Sequence, residues 1–111
     1  MKFNEKKIDD IIVLEIEGNI LGGHSAEPLS TRFAELMKAG NYKVVLDLSN
    51  ANWINIAGLG LMMGGFTAMR NHKGDLKLAA ANERIHQQLG SANYLEIFDY
   101  HADVDAAVAS F

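Results

Sequence analysis

The sequence predicts an α/β fold: a mixed sheet of about four to five strands with about four helices, formed by a single domain over residues 1–111. A chain of 111 residues can bury one hydrophobic core but is too short for two. Stretches with strand periodicity alternate with stretches of helical periodicity, and the connections between them are short. This alternation is typical of a sheet whose parallel strands are joined by right-handed crossovers.

Two strands are predicted before any helix. A short strand, Phe3–Lys7, is expected to pair with the next strand through a turn at Asp9–Asp10. The second strand, Ile11–Glu17, is rich in β-branched residues, and Gly18 is expected to end it.

The first helix is predicted after a loop at Asn19–His24. Ser25 is expected to cap this helix, and Pro28 is tolerated because it lies in the first turn. Gly40 supplies the stop. The apolar face recurs at helical spacing and consists of Leu29, Phe33 and Leu36.

The middle of the chain predicts a strand, a loop and a helix. Val44–Leu48 is apolar except for Asp47, the pattern of a strand that is covered on both faces. Ser49–Ile54 is predicted to be a loop and Ala57–Asn71 a helix. No charge lies between Asp47 and Arg70, but amides interrupt the first part of that run. The part of this uncharged run that contains no amides is shorter than the roughly 20 residues of a membrane helix. We therefore expect a buried helix and no direct membrane insertion.

The last third predicts two more strands and two more helices. The strands are Leu76–Ala80 and Leu95–Tyr100, and the helix Glu83–Leu89 lies between them. Asn82 is expected to cap that helix and Gly90 to end it. The C-terminal helix is predicted from its cap and its apolar stripe, Asp103, Val104, Ala107, Val108 and Phe111.

Composition excludes several classes of function. The chain has no cysteine, which rules out thiol catalysis, disulfides and cysteine-ligated zinc. Ten basic residues against fourteen acidic ones argue against non-specific binding of nucleic acid. The segment Met1–Lys7 has no apolar signal region, so the cytoplasm is the expected location.

No motif predicts an enzyme, a metal site or a cofactor. The four histidines do not stand at ligand spacing from one another or from a pair of carboxylates. No Ser, His and acid set predicts nucleophilic catalysis. The glycines at Gly58 and Gly60 do not follow a strand directly, as the dinucleotide-binding fingerprint requires.

The most specific signal is Leu46-Asp47-Leu48, followed after a short segment by Asn55-Ile56-Ala57-Gly58-Leu59. This arrangement resembles the STAS domain of the anti-sigma-factor antagonists, whose signature is an apolar strand ending in Asp-Leu, a short loop, and Asp-Ser-Ser/Thr-Gly-Leu at the start of a helix. In regulated members a partner-switching kinase phosphorylates the first serine of that signature. Here the aspartate position is Asn55 and the first serine is Ile56, which has no hydroxyl.

The resemblance implies a docking surface without its phosphorylation switch. The family often carries an acidic residue in the loop after the second strand, and the matching stretch Asn19–Gly23 contains none. Phosphorylation is therefore not expected at Ile56, although Ser49 stays open as an alternative acceptor. The partner-binding residues that the resemblance implies are Leu21, Gly22, Gly23, His24, Asn55, Ile56, Ala57, Gly58, Leu59 and Leu61.

Helical periodicity divides the predicted helix Ala57–Asn71 into two faces. The face assigned to the sheet consists of Leu59, Met62, Met63 and Phe66. The opposite face, assigned to a partner or alternatively to the core, consists of Gly60, Leu61, Gly64, Gly65 and Ala68. Trp53 is expected to anchor the preceding loop in the core, with a partner contact as the alternative.

Two classes of function remain. The first is a non-catalytic regulator that binds an anti-sigma factor or a serine kinase of the partner-switching type. The alternative is a small cytoplasmic STAS subunit that assembles with an ABC-type lipid transporter complex or with copies of itself as a homodimer.

Overall fold

The computed structural model describes residues 1–111 and forms one five-stranded sheet in the order β1-β2-β3-β4-β5. β1 and β2 are antiparallel, and every other neighbouring pair is parallel. This mixed sheet with four helices confirms the predicted α/β fold. The elements are β1 Lys2–Ile8, β2 Ile11–Ile20, α1 Glu27–Lys38, β3 Lys43–Ile54, α2 Ile56–Asn71, β4 Asp75–Ala79, α3 Glu83–Ser91, β5 Tyr100–His101 and α4 Val104–Ala109, with 3₁₀ turns at Gly23–Ala26 and Tyr94–Glu96.

The two faces of the sheet are covered unequally. Successive side chains of β2 point to opposite faces of the sheet. Leu14 and Ile16 belong to a core of 20 buried residues on one face, and Val13 belongs to a second cluster of 5 on the other. The larger core includes side chains of α1, α2 and α3, whereas the only helical residue in the smaller cluster is Ala107 of α4. The three helices that surround the predicted site therefore share one core.

β2 and β3 are both longer than predicted. Gly18 does not end β2; it adopts a φ of +80° and the strand continues to Ile20, with its pairing to β3 shifted in register. β3 runs 12 residues through the segment predicted to be a loop. Ala51 and Ile54 are buried there, while Asn50 and Asn52 face solvent. Amide residues at exposed positions of a strand thus misled the loop prediction.

Three further boundaries differ from the predictions. Ser25 lies in a 3₁₀ turn and its hydroxyl donates to the carbonyl oxygen of Gly22 at 2.9 Å, so it does not cap α1. α3 continues through Gly90 to Ser91. The predicted strand Leu95–Tyr100 is instead a 3₁₀ turn followed by a two-residue strand, because Asn93 takes a left-handed conformation that turns the chain. The predicted caps Asn82 and Asp103 are confirmed.

α4 is held to the sheet through a buried lysine. Lys77 Nζ donates to Asp99 Oδ2 at 2.8 Å and to Ser110 Oγ at 2.7 Å. The hydrogen bond from Lys77 holds the pKa of the Asp99 carboxyl below its usual value. A buried charge needs such partners. Because Ser110 directly follows α4, its hydrogen bond to Lys77 fixes this helix on the face of the sheet away from α2.

α2 is buried over a wider arc than its periodicity predicted. Leu59 and Met62 face the core as expected, whereas Met63 and Phe66 are only half-buried. Gly65, on the face assigned to a partner or alternatively to the core, is buried, because α1 packs so close to it that a Cβ there would lie 2.9 Å from the Phe33 ring. α1 covers part of the surface that the sequence left to a partner. No helix of the chain combines the length and apolar character that a membrane span needs.

Candidate functional site

The site begins where β3 passes into α2. Asn55 takes an extended conformation and its Oδ1 accepts from the Gly58 N–H at 2.7 Å, which caps the helix. Such a cap contributes on the order of 1 kcal/mol. The Asn55 N–H donates to the carbonyl oxygen of Ile20 at 3.1 Å, so β2 also fixes the entry into α2.

Ile56 is the most exposed large hydrophobic residue of the chain, at 88 %. It is the first residue of α2. The resemblance to the STAS signature aligns this position with the signature's serine. Neither Ile56 nor its exposed neighbour Ala57 has a hydroxyl, so this turn can accept no phosphoryl group. An isolated exposed isoleucine contributes no stability to the core.

Two glycines allow the loop after β2 to lie in close contact with the first turn of α2. A Cβ on Gly58 would lie 2.1 Å from the carbonyl oxygen of Ile20, and a Cβ on Gly22 would lie 2.5 Å from the backbone of Ala57. Gly22 also has a φ of +67°, which favours glycine. The predicted residues of the loop and of the helix therefore form one continuous surface.

The predicted partner-binding residues differ in exposure. Gly23, His24 and Leu21 are exposed, and His24 Nδ1 lies 3.3 Å from a carboxylate oxygen of Glu27. Gly22, Gly58 and Leu59 are buried and support the surface from below. Leu61 is half-buried in a groove of about 270 Å³ between α1 and α2, together with Phe33 and Ala68.

α3 also borders the site, which the sequence did not predict. β4 pairs with β3 only as far as Asp47, so the rest of that edge of β3 has no neighbouring strand. Side-chain amides of α3 take its place. Gln88 Oε1 accepts from the Ile54 N–H at 3.1 Å and Gln88 Nε2 donates to the Ile54 carbonyl at 2.8 Å. Asn82 Nδ2 donates to the carbonyl oxygens of Ala51 and Asn52.

A groove of about 740 Å³ separates α3 from the start of α2. Its α3 wall consists of Arg84, Gln87, Gln88 and Ser91. The guanidinium carbon of Arg84 lies 5.5 Å from the ring centroid of Trp53, which is half-buried rather than a core anchor. No sequence signal predicts this wall, because it depends on β3 extending beyond β4 and leaving backbone groups to satisfy.

No group of three or more His, Asp or Glu side chains is arranged to hold a metal ion. Ser49, the alternative phosphate acceptor, is exposed in β3, and its backbone N–H donates to Asp47 Oδ1 at 3.0 Å. The arrangement is a surface with apolar, amide and hydroxyl groups, suited to binding another molecule.

The chain belongs to the STAS domain family, because the model of that family matches residues 2–107. Over 111 residues it is 28 % identical to BtrV of Bordetella bronchiseptica, a candidate anti-sigma factor antagonist; the match covers 100 % of this chain and 95 % of BtrV.

Solved structures share the fold. The crystal structure of a candidate anti-sigma factor antagonist of Thermotoga maritima matches with a TM-score of 0.90 at 22 % identity, over 97 % of this chain and 92 % of that one. The Bacillus cell-fate determinant SpoIIAA in its phosphorylated form matches with a TM-score of 0.76 at 12 % identity, over 99 % and 100 % of the two chains.

Gly58→Ala should destabilise the protein by about 2–3 kcal/mol, because the new methyl group would overlap backbone that cannot move away cheaply. Gly60→Ala is the matched control, since nothing lies within 4 Å of a Cβ there and the helix should gain about 0.5–1 kcal/mol. Urea unfolding of both variants measures the difference. Equal stabilities would show that Gly58 does not set the approach of α2 to β2.

Gln88→Glu should destabilise the protein at neutral pH by about 1–3 kcal/mol, because a carboxylate can accept from Ile54 but cannot donate to its carbonyl. Proximity to that carbonyl is expected to raise the folded-state pKa of the introduced carboxyl above its unfolded value of about 4.3. The loss of stability is then complete above the folded-state pKa and disappears below the unfolded-state pKa. Gln88→Ala is the control and should lose stability equally at all pH values. Denaturation curves from pH 4 to pH 8 test this, and a pH-independent loss in Gln88→Glu would contradict it.

Proposed function

We propose that this chain is a non-catalytic, anti-sigma-factor-antagonist-like regulator that acts as a single STAS domain over residues 1–111. It binds an anti-sigma factor or a serine kinase of the partner-switching type in the cytoplasm. The binding surface comprises the loop Leu21–His24 and the segment Asn55–Leu61, and position 56 is never phosphorylated. The observation that carries the proposal is the high exposure of Ile56 in a chain of the STAS family, at the position that the resemblance aligns with the signature's serine.

An apolar residue at this position changes how binding is controlled. In a phosphorylated member a dianionic group enters the interface and must be matched or repelled. Here Ile56 and the exposed Leu21 present aliphatic surface beside a helix start that carries no charged side chain. An exposed apolar patch of this kind is typical of an interaction site. Binding would then depend on the amounts of the partners rather than on phosphate.

Ile56→Glu should weaken partner binding by about 2 kcal/mol or more, because the introduced carboxylate would lose its hydration at a position where the interface is proposed to be apolar. Its stability should stay close to that of the wild type. The measurement is calorimetric titration against each purified anti-sigma factor or switch kinase encoded by the same genome.

Ile97→Glu is the matched control, since Ile97 is also an exposed isoleucine, at 45 %, but lies outside the proposed surface. It should bind like the wild type. Met62→Glu is the control for a core position and should unfold the protein, because Met62 is fully buried. Met63, which the sequence assigns to the same face of α2, is only half-buried and would not serve. The proposal fails if no such partner binds the wild type; binding only to a transporter ATPase would support the transporter-subunit alternative.

Incubation with the bound kinase and ATP should add no phosphate to residues 55–58, because that turn has no hydroxyl group. Mass spectrometry of the digested protein measures this directly. Stoichiometric phosphate on Ser49 that also changes partner affinity would overturn the switch-free proposal.

A further inference from the structure

The start of α2 faces α3 across an open groove that the STAS signature does not include. Ile54, Asn55, Ile56 and Ala57 form one wall, and α3 forms the other. The two walls are tied together at the bottom by the paired hydrogen bonds between Gln88 and the backbone of Ile54. A partner that covers Ile56 is therefore placed next to α3.

The groove has one charged side chain in its lining, that of Arg84. α2 has no charge before Arg70, at its opposite end. Glu27, at the start of α1, lies with a carboxylate oxygen 3.3 Å from His24 Nδ1 in the adjoining loop. Glu83, the first residue of α3, stands beside this wall and its carboxylate accepts from Gln87 at 3.5 Å, so Arg84 supplies the only charge in the lining itself.

Arg84 has no acidic partner within the chain, unlike the other arginines. Arg32 pairs with Glu5 at 2.6 Å, and Arg70 pairs with Asp75 at 3.5 Å. Arg84 forms no ion pair and donates no hydrogen bond within the chain, but its guanidinium is positioned over the Trp53 ring. A planar guanidinium with free N–H donors matches the geometry of a carboxylate.

We propose that the groove between α2 and α3 is the second half of the docking surface, and that its occupant is a segment of the anti-sigma partner with an acidic side chain against Arg84. An aliphatic side chain of the same segment would lie against Ile56. This inference rests on the proposed function. Charge complementarity supports it, because a chain with a net charge of −4 presents here an unpaired cation next to exposed apolar surface.

Arg84→Gln should weaken binding of the partner found by calorimetry about tenfold or more, and should reduce the salt dependence of the affinity. Arg70→Gln is the matched control, since Arg70 also lies over an aromatic ring, at 5.4 Å from that of Phe66, but outside the groove. It should change neither the affinity nor its salt dependence. Equal effects of the two variants would overturn the proposal.

Arg84→Lys supplies a direct identification of the contact. A carbodiimide joins a primary amine to a carboxylate that touches it, so the lysine introduced at position 84 should crosslink to an Asp or Glu of the bound partner. Peptide mapping by mass spectrometry would name that residue. The absence of any crosslink from position 84 in a saturated complex would overturn the proposal.

Two results separate this inference from the proposed function. If the wild type binds and Ile56→Glu abolishes binding while Arg84→Gln does not, only the α3 half of the surface is wrong. Sedimentation of the protein alone tests a different occupant: a dimer that Arg84→Gln dissociates would place a second copy of the chain in the groove and overturn the proposal.

Discussion

The close contact between the backbone of α2 and the end of β2 is the constraint on which the surface depends. Gly58 lies directly against the carbonyl oxygen of Ile20, and Asn55 donates to that same oxygen. Any larger residue at position 58 would push α2 away from the sheet. The exposed position of Ile56 follows, because the chain enters the helix at a fixed point and in a fixed direction.

α3 completes this arrangement from the other side. A strand that is longer than its neighbour has unpaired backbone N–H and C=O groups along its edge. Such groups need hydrogen-bond partners when they are buried or half-buried. Gln88 and Asn82 satisfy them with side-chain amides, so α3 is positioned by the same residues that end β3. The surface around Ile56 is consequently held by β2 on one side and by α3 on the other. Few charged side chains border this surface, and on the proposal above the guanidinium of Arg84 would contribute to the choice of partner.

Local patterns were sufficient for much of the fold. The order of the elements followed from periodicity, and the caps Asn82 and Asp103 followed from residue type. The extension of β3 could not be foreseen, because Asn50 and Asn52 are typical of loops, and only the pairing with β2 makes a strand there favourable. The wall formed by α3 depends on Gln88 reaching Ile54, 34 residues away in the chain, a contact for which the sequence carries no periodic signal. The approach of Gly22 to Ala57 is likewise visible only once both segments are packed.

Hydrogen–deuterium exchange of the complex with the anti-sigma factor or switch kinase tests the location of the surface most directly. Slower exchange is expected in three segments, residues 20–24, 54–61 and 84–91, with β1 and α4 unchanged, because both of these lie away from the groove. Protection of β1 or α4 with no change at residues 54–61 would place the partner elsewhere and contradict the assignment of Ile56 to the interface.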